Sequence, residues 1–173
     1  RQMCIRDSFR FRFEPTAEER LQEFLATKST SPTPSSEQTG EDGDSEVGLT
    51  VTSSDWPGFR GANRDGIAAV SPGEFDWTKE PTELWRHPVG RGWSSFAVVQ
   101  ARAFTQEQRD ELECVVCYDV KSGQQIWVHE DAERFDEPLG GPGPRATPTI
   151  HDSRVYSLGA TGLLNCLDAI NGE

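Results

Sequence analysis

Cys114 and Cys117 have the Cys-x-x-Cys spacing with which a turn or helix holds zinc or performs disulfide exchange. They fall in a β-prone run, however, where residues three apart point to opposite faces, so the two thiols cannot converge on one ion or on each other. His87 and His129 each follow a tryptophan by two positions, and with His151 they read as solvated or half-buried repeat positions rather than metal ligands. The richest stretch is the 18-residue connection 129–146, long enough to suggest a function, which carries Asp131, Glu133, Arg134, Asp136 and Glu137 before Gly140-Gly-Pro-Gly-Pro-Arg145. Asp131, Asp136 and Glu137 offer the hard oxygen ligands that suit Ca²⁺, and Arg145 could hold an anion. The plainer reading is an acidic surface loop closed by a rigid Gly/Pro turn. There is no Ser-His-Asp set, no phosphate-cradling glycine loop and no histidine zinc motif, so no catalytic or metal-ligating residue is assigned.

The elements that position these residues repeat. Cys117-Tyr-Asp119-Val-Lys-Ser-Gly123 aligns with Cys166-Leu-Asp168-Ala-Ile-Asn-Gly172 at an offset of 49, and Arg102-Ala-Phe104-Thr aligns with Arg154-Val-Tyr156-Ser at an offset of 52. The difference falls in a hairpin over 105–112, where a change of length costs little. Leu84-Trp85-Arg-His87 echoes Ile126-Trp127-Val-His129 at an offset of 42. Such spacings suit a four-stranded propeller blade. One unit is expected to have strands over 96–99, 102–105, 113–119 and 124–129. A second has them over 147–151, 154–158 and 162–168, and its pattern stops before a fourth strand. Asp119 is expected to hold the amides of a tight turn, Gly123 to supply its positive φ, and Trp127 to lie across the gap between units, with Asp168 and Gly172 repeating the arrangement. About two such units would leave apolar faces bare, so the chain reads as a fragment of a larger wheel.

At this point the sequence resembles the quinoprotein-type β-propellers, whose repeats are named for pyrroloquinoline quinone (PQQ). The run from Cys117 to Trp127 is similar to their tryptophan-docking motif, with Cys117 where alanine is usual. Asp55-Trp56-Pro57-Gly58-Phe59-Arg60-Gly61-Ala62-Asn63-Arg64-Asp65-Gly66, Gly92-Trp93-Ser94-Ser95, Thr105-Gln-Glu-Gln-Arg109 and Gly141-Pro-Gly-Pro-Arg145-Ala-Thr-Pro148 resemble other segments of the class, so the likeness covers residues 55–173. Phe96 departs from the usual proline, which Pro148 retains. The stretch from Phe13 to Glu19 resembles a juxtamembrane segment of a subgroup whose anchoring helices would lie upstream of Arg1. The resemblance implies an all-β propeller in an exported or membrane-anchored bacterial protein of the periplasm or cell envelope. The expected role is a non-catalytic scaffold binding a protein or extended ligand on its open face, without a cofactor. The alternative is a PQQ- and Ca²⁺-dependent alcohol or sugar dehydrogenase, although the adjacent-cysteine disulfide of those enzymes has no counterpart here.

Composition bounds the rest. With 17 basic and 29 acidic residues the net charge is −12, which repels nucleic acid and anionic lipid, so membrane contact is expected only through an upstream anchor. Residues 1–8 resemble a translated adapter and are read as an artefact. Phe9, Phe11 and Phe13 alternate with arginines as in a short strand, and Thr16-Ala-Glu-Glu19 has capping-box spacing before Leu21, Phe24 and Leu25, predicting a helix over 16–26. Within this organisation, 9–28 is a short strand and helix. Residues 29–54 are an acidic low-complexity linker, because a segment so poor in apolar residues cannot offset its ordering entropy.

Overall fold

The computed structural model describes residues 15–29, 48–69, 76 and 78–173. The adapter-like residues 1–8, the strand expected around Phe9 to Phe13 and most of the acidic linker lie outside the described residues. Helix α1 spans Ala17–Ser29, past the expected end at Ala26. Its start is set by the capping box: Thr16 N donates to Glu19 Oε2 at 2.6 Å, and Glu19 N donates to Thr16 Oγ1 at 3.1 Å. Glu18 and Glu19 add negative charge in the first turn, where the unpaired amides favour it.

The remaining regular structure among the described residues is all β. Strands β1 (Ala97–Val99), β2 (Arg102–Arg109), β3 (Leu112–Asp119) and β4 (Gln125–Asp131) form a four-stranded antiparallel meander. Strands β5 (Thr149–His151), β6 (Arg154–Leu158) and β7 (Leu164–Asp168) form a three-stranded one. The strand pairing repeats with the sequence: Arg102 faces Asp119 and Phe104 faces Cys117 in the first sheet, while Arg154 faces Asp168 and Tyr156 faces Cys166 in the second. The hairpin expected over 105–112 is shorter than its sequence suggested. Pairing continues to Arg109 opposite Leu112, leaving a two-residue turn in which Asp110 has φ 49°. The β5–β6 turn has two left-handed residues, Asp152 and Ser153, as a tight primed hairpin turn requires.

The apolar core lies between the sheets. Phe104, Val115, Cys117 and Trp127 from one pack with Ile150, Val155, Leu167 and Ala169 from the other. The linker does not remain solvated as far as Ser54, because Leu49 enters this core with 5% exposure and Val51 packs against it. Two apolar residues in a polar stretch suffice to pin it, helped by Gln100 Nε2 donating to Thr50 O at 3.0 Å. Next along the chain, Trp56 exchanges both backbone hydrogen bonds with Val98 at 2.7 Å, and Pro57 O accepts from Ile150 N at 2.7 Å. The opening segment thereby ties the first strand of one sheet to the first strand of the other.

Two seams share one construction. Asp119 Oδ1 accepts from Ser122 N at 2.7 Å, and Gly123 N donates to Asp119 O at 2.8 Å. In the second sheet Asp168 Oδ1 accepts from Ile170 N at 2.8 Å, and Gly172 N donates to Asp168 O at 2.9 Å. Both glycines are left-handed, with φ 68° and 80°, so each turn needs a residue that tolerates this region. An indole lies on each. A Cβ added at Gly123 would sit 2.5 Å from the ring of Trp85, and one at Gly172 would sit 2.7 Å from the ring of Trp127. The indole nitrogens donate to equivalent carbonyls, Trp85 to Val120 O at 2.8 Å and Trp127 to Ala169 O at 3.3 Å. Trp127 also packs on Phe104, with ring centroids 5.9 Å apart.

Trp127→Ala is therefore expected to lower stability by about 3–5 kcal/mol in chemical denaturation. Gly172→Ala should lose about 2–4 kcal/mol through left-handed strain plus collision with the indole. A denaturation midpoint unchanged by either substitution would show that the ring does not hold the seam.

Candidate functional site

The docking residues Asp119, Gly123, Trp127, Asp168 and Gly172 all belong to the seams and have structural partners there. The loop 132–146 is held in place by the strand beside it. The side chain of Gln108, fully buried on β2, donates to Glu133 O at 2.9 Å and Asp110 O at 3.1 Å, and its Oε1 accepts from Phe135 N at 3.4 Å. Gln106 Nε2 donates to Ala146 O at 3.0 Å. Trp93 pins the glycine turn, its backbone N donating to Pro144 O at 2.8 Å and its indole to Gly140 O at 2.7 Å.

The loop's four singled-out residues divide into separate pairings. Asp131 ends β4 and accepts from Asn165 Nδ2 at 2.7 Å, with His129 Nε2 at 3.3 Å from its other oxygen. Asp136 lies 3.7 Å from Arg134. Glu137 accepts from Arg145 at 3.2 Å, and Arg145 further donates to Gly141 O at 2.7 Å and Gly143 O at 2.9 Å while its guanidinium lies 5.3 Å from the Phe135 ring centroid. Among the described residues no group of three or more His, Cys, Asp or Glu side chains is placed to hold a metal ion.

A buried ionic network also escaped the sequence reading. Thr105 to Arg109 is buried throughout. Arg109 Nε donates to Glu107 Oε1 at 2.6 Å, and Arg109 Nη2 donates to Gln125 Oε1 at 2.9 Å and Tyr118 Oη at 3.3 Å. Glu107 Oε2 accepts from Gly90 N at 3.0 Å. Burial, reinforced by the charge of Glu107, pushes the Tyr118 phenol well above its ordinary range, so it stays protonated. Alternation of polar types along β2 gave no warning, since both faces are covered.

The cysteines lie on opposite faces of β3, Cys117 in the core between the sheets and Cys114 in the smaller cluster with Ala103, Val116 and Tyr118. Burial pushes their thiols up to about 12 for Cys114 and about 11 for Cys117, so neither is a ready nucleophile. His87 stacks between Trp85 and Phe24 of α1, with centroids 5.2 and 5.0 Å away, and its Nε2 lies 2.7 Å from Gly123 O. The helix is fastened here rather than standing apart from the sheets. Leu21 is buried, Glu18 lies 3.3 Å from Arg91, and Gln22 Nε2 donates to Asp110 Oδ2 at 2.6 Å. His151 is exposed beside Asp152, at 3.2 Å.

Glu113 crosses the seam at its far end. It is 4% exposed, and both of its oxygens accept from Ala160 N, at 3.1 and 3.0 Å. Burial raises its carboxyl above the ordinary 4.5, Asp131 and Glu133 push in the same direction, and the Ala160 amide opposes them. No protein-family model matches the chain, and no curated protein sequence matches it.

Arg109→Met should lose about 3–5 kcal/mol by stranding the buried Glu107 carboxylate, and the double variant with Glu107→Gln should recover much of that. A double-variant loss equal to the sum of the two single losses would show that the pair is not coupled. For Glu113 the folded state holds the proton more tightly than the unfolded chain. Its contribution is therefore greatest at low pH and falls as pH rises from the ordinary 4.5 through its raised folded-state value. Glu113→Gln, which keeps an acceptor for Ala160, should gain stability relative to the parent across that window. A pH-independent difference in denaturation midpoints would contradict it.

Proposed function

We propose that the chain is part of a non-catalytic PQQ-like β-propeller, a binding or scaffold domain of an exported or membrane-anchored bacterial protein, with a protein or extended ligand as its partner. The observation that carries this reading is the repeated seam, in which Trp85 rests on the Gly123 turn as Trp127 rests on the Gly172 turn. Residues 84–87 thus fill the outer-strand place of a preceding unit. The second sheet supports the same reading. Tyr156, Leu158 and Leu164 are 39%, 50% and 68% exposed, whereas the first-sheet residues at the equivalent places, Phe104, Gln106 and Val115, are buried. In a wheel, a further unit would cover that face as the second sheet covers the first.

For the dehydrogenase alternative, no two cysteines are adjacent in the sequence, and Asp136 and Glu137 of the 132–146 loop lie beside Arg134 and Arg145. No helix among the described residues is long and apolar enough to cross a membrane, so anchoring is proposed only through an upstream segment.

The test uses the intact protein. Leu164→Arg should depress its melting temperature strongly, because the charge would be buried against the next unit without a partner. Titration with PQQ and Ca²⁺ should give no spectral change and no dye reduction with alcohols or sugars. An unchanged melting temperature would overturn the stacked-unit reading, and quinone-dependent turnover would overturn the non-catalytic one.

A further inference from the structure

Among the described residues a cavity is lined by two arginines and no carboxylate. It has a volume of about 590 Å³ and lies between the opening loop, from Pro57 to Arg64, and the stretch from Arg145 to His151 that leads into β5. Arg64, Arg145 and His151 line it together with Phe59, Thr147 and Thr149, and no Asp or Glu does so. This contrasts with the net charge of −12.

Each part is built and held. The opening loop is closed by backbone bonds from Gly61 N to Gly58 O at 3.0 Å, Arg64 N to Gly61 O at 3.1 Å and Gly66 N to Arg60 O at 3.0 Å. Arg60 and Arg64 have left-handed backbones, with φ 63° and 58°. The loop seats on β5 through Pro57 O, which accepts from Ile150 N at 2.7 Å. Across the cavity Arg145 is oriented by Glu137, Gly141 O and Gly143 O, leaving donors uncommitted among the five of its guanidinium. Arg64 is exposed and has no ion pair among the described residues. Phe59 stands 61% exposed at the wall, an apolar platform that water solvates poorly.

We propose that this cavity binds a carboxylate-bearing sugar unit of an acidic polysaccharide. The volume falls in the range of small-ligand pockets and suits one or two sugar rings. Arg64 and Arg145 meet the carboxylate through charge-assisted hydrogen bonds, the apolar face of the ring packs on Phe59, and Thr149 and His151 meet its hydroxyls. A bare phosphate would satisfy the arginines and leave the aromatic wall unused, so the wall decides for a sugar acid. This deepens the binding-module reading and rests on it in one respect only, that the outcome is binding rather than turnover.

The experiment titrates the intact protein calorimetrically with a galacturonate trimer, a neutral glucose trimer and inorganic phosphate. Saturable binding of the uronate is expected, at least tenfold tighter than that of either other probe. Arg64→Asn, which tolerates the left-handed backbone, and Phe59→Ala should each weaken it by about tenfold or more without moving the melting temperature. Lys79→Asn, an exposed charge change outside the cavity, should bind like the parent. No saturable uronate binding, equal binding of the neutral trimer, or unchanged affinity in Arg64→Asn would overturn the proposal. Phosphate matching the uronate would overturn the sugar assignment. None of these results bears on whether Leu164→Arg destabilises the protein, so the two readings fail separately.

Discussion

An indole ring lying flat on a glycine turn is the contact on which the rest of the structure depends. Gly123 and Gly172 lack the Cβ that would collide with Trp85 and Trp127, and their left-handed backbones create the flat surface on which the rings rest. The aspartates that begin the turns fix their shape by accepting backbone amides. Each ring also donates a hydrogen bond to a turn carbonyl, which fixes its orientation as well as its depth. From that constraint the spacing of the sheets follows, and with it the apolar layer of Phe104, Val115, Cys117, Val155 and Leu167 between them.

Strand β2 performs the second organising role, with polar groups instead of apolar ones. Gln106, Glu107, Gln108 and Arg109 are all buried, and each fastens a different stretch of chain: Ala146, Gly90, the residues about Glu133 and Phe135, and Gln125. Buried groups of this kind must be satisfied, since each unpaired one would carry a large desolvation penalty. Their partners are mostly backbone carbonyls and amides of irregular segments, which need such partners in turn. One polar strand therefore orders the connections that no ladder can reach. This explains how a chain of modest apolar content holds long loops against its sheets.

Helix α1 shows how the same economy reaches the periphery. Its buried Leu21, the stack of Phe24 on His87 and the carboxylate of Glu18 beside Arg91 attach it to the stretch that also carries Trp85. The helix, the docking tryptophan and the Gly123 turn form one continuous stack, so ordering any one of them favours the others. The cavity between the opening loop and the Arg145 to His151 stretch shares Ile150 and Val51 with the core and is otherwise lined by residues of those two connections.

What the sequence determined by itself was local and periodic. The capping box at Thr16 and Glu19, the strands of both sheets to within a few residues, and the paired Asp and Gly turns all arise from nearest-neighbour sterics and short hydrogen bonds that recur wherever the same residues recur. What only the tertiary structure decided depends on groups brought together from afar. Leu49 looked like part of a solvated linker because composition averages over a window, whereas burial is a property of one side chain meeting one gap. The stretch from Thr105 to Arg109 carries no apolar alternation, so its burial on both faces became visible only with its distant partners in place. The division of Asp131, Asp136, Glu137 and Arg145 into separate pairings was likewise illegible, since loop residues close in sequence are sorted by the surfaces beneath them. The gathering of Phe59, Arg64, Arg145 and His151 around one cavity required the opening loop to be laid across β5, a long-range contact that no local spacing encodes.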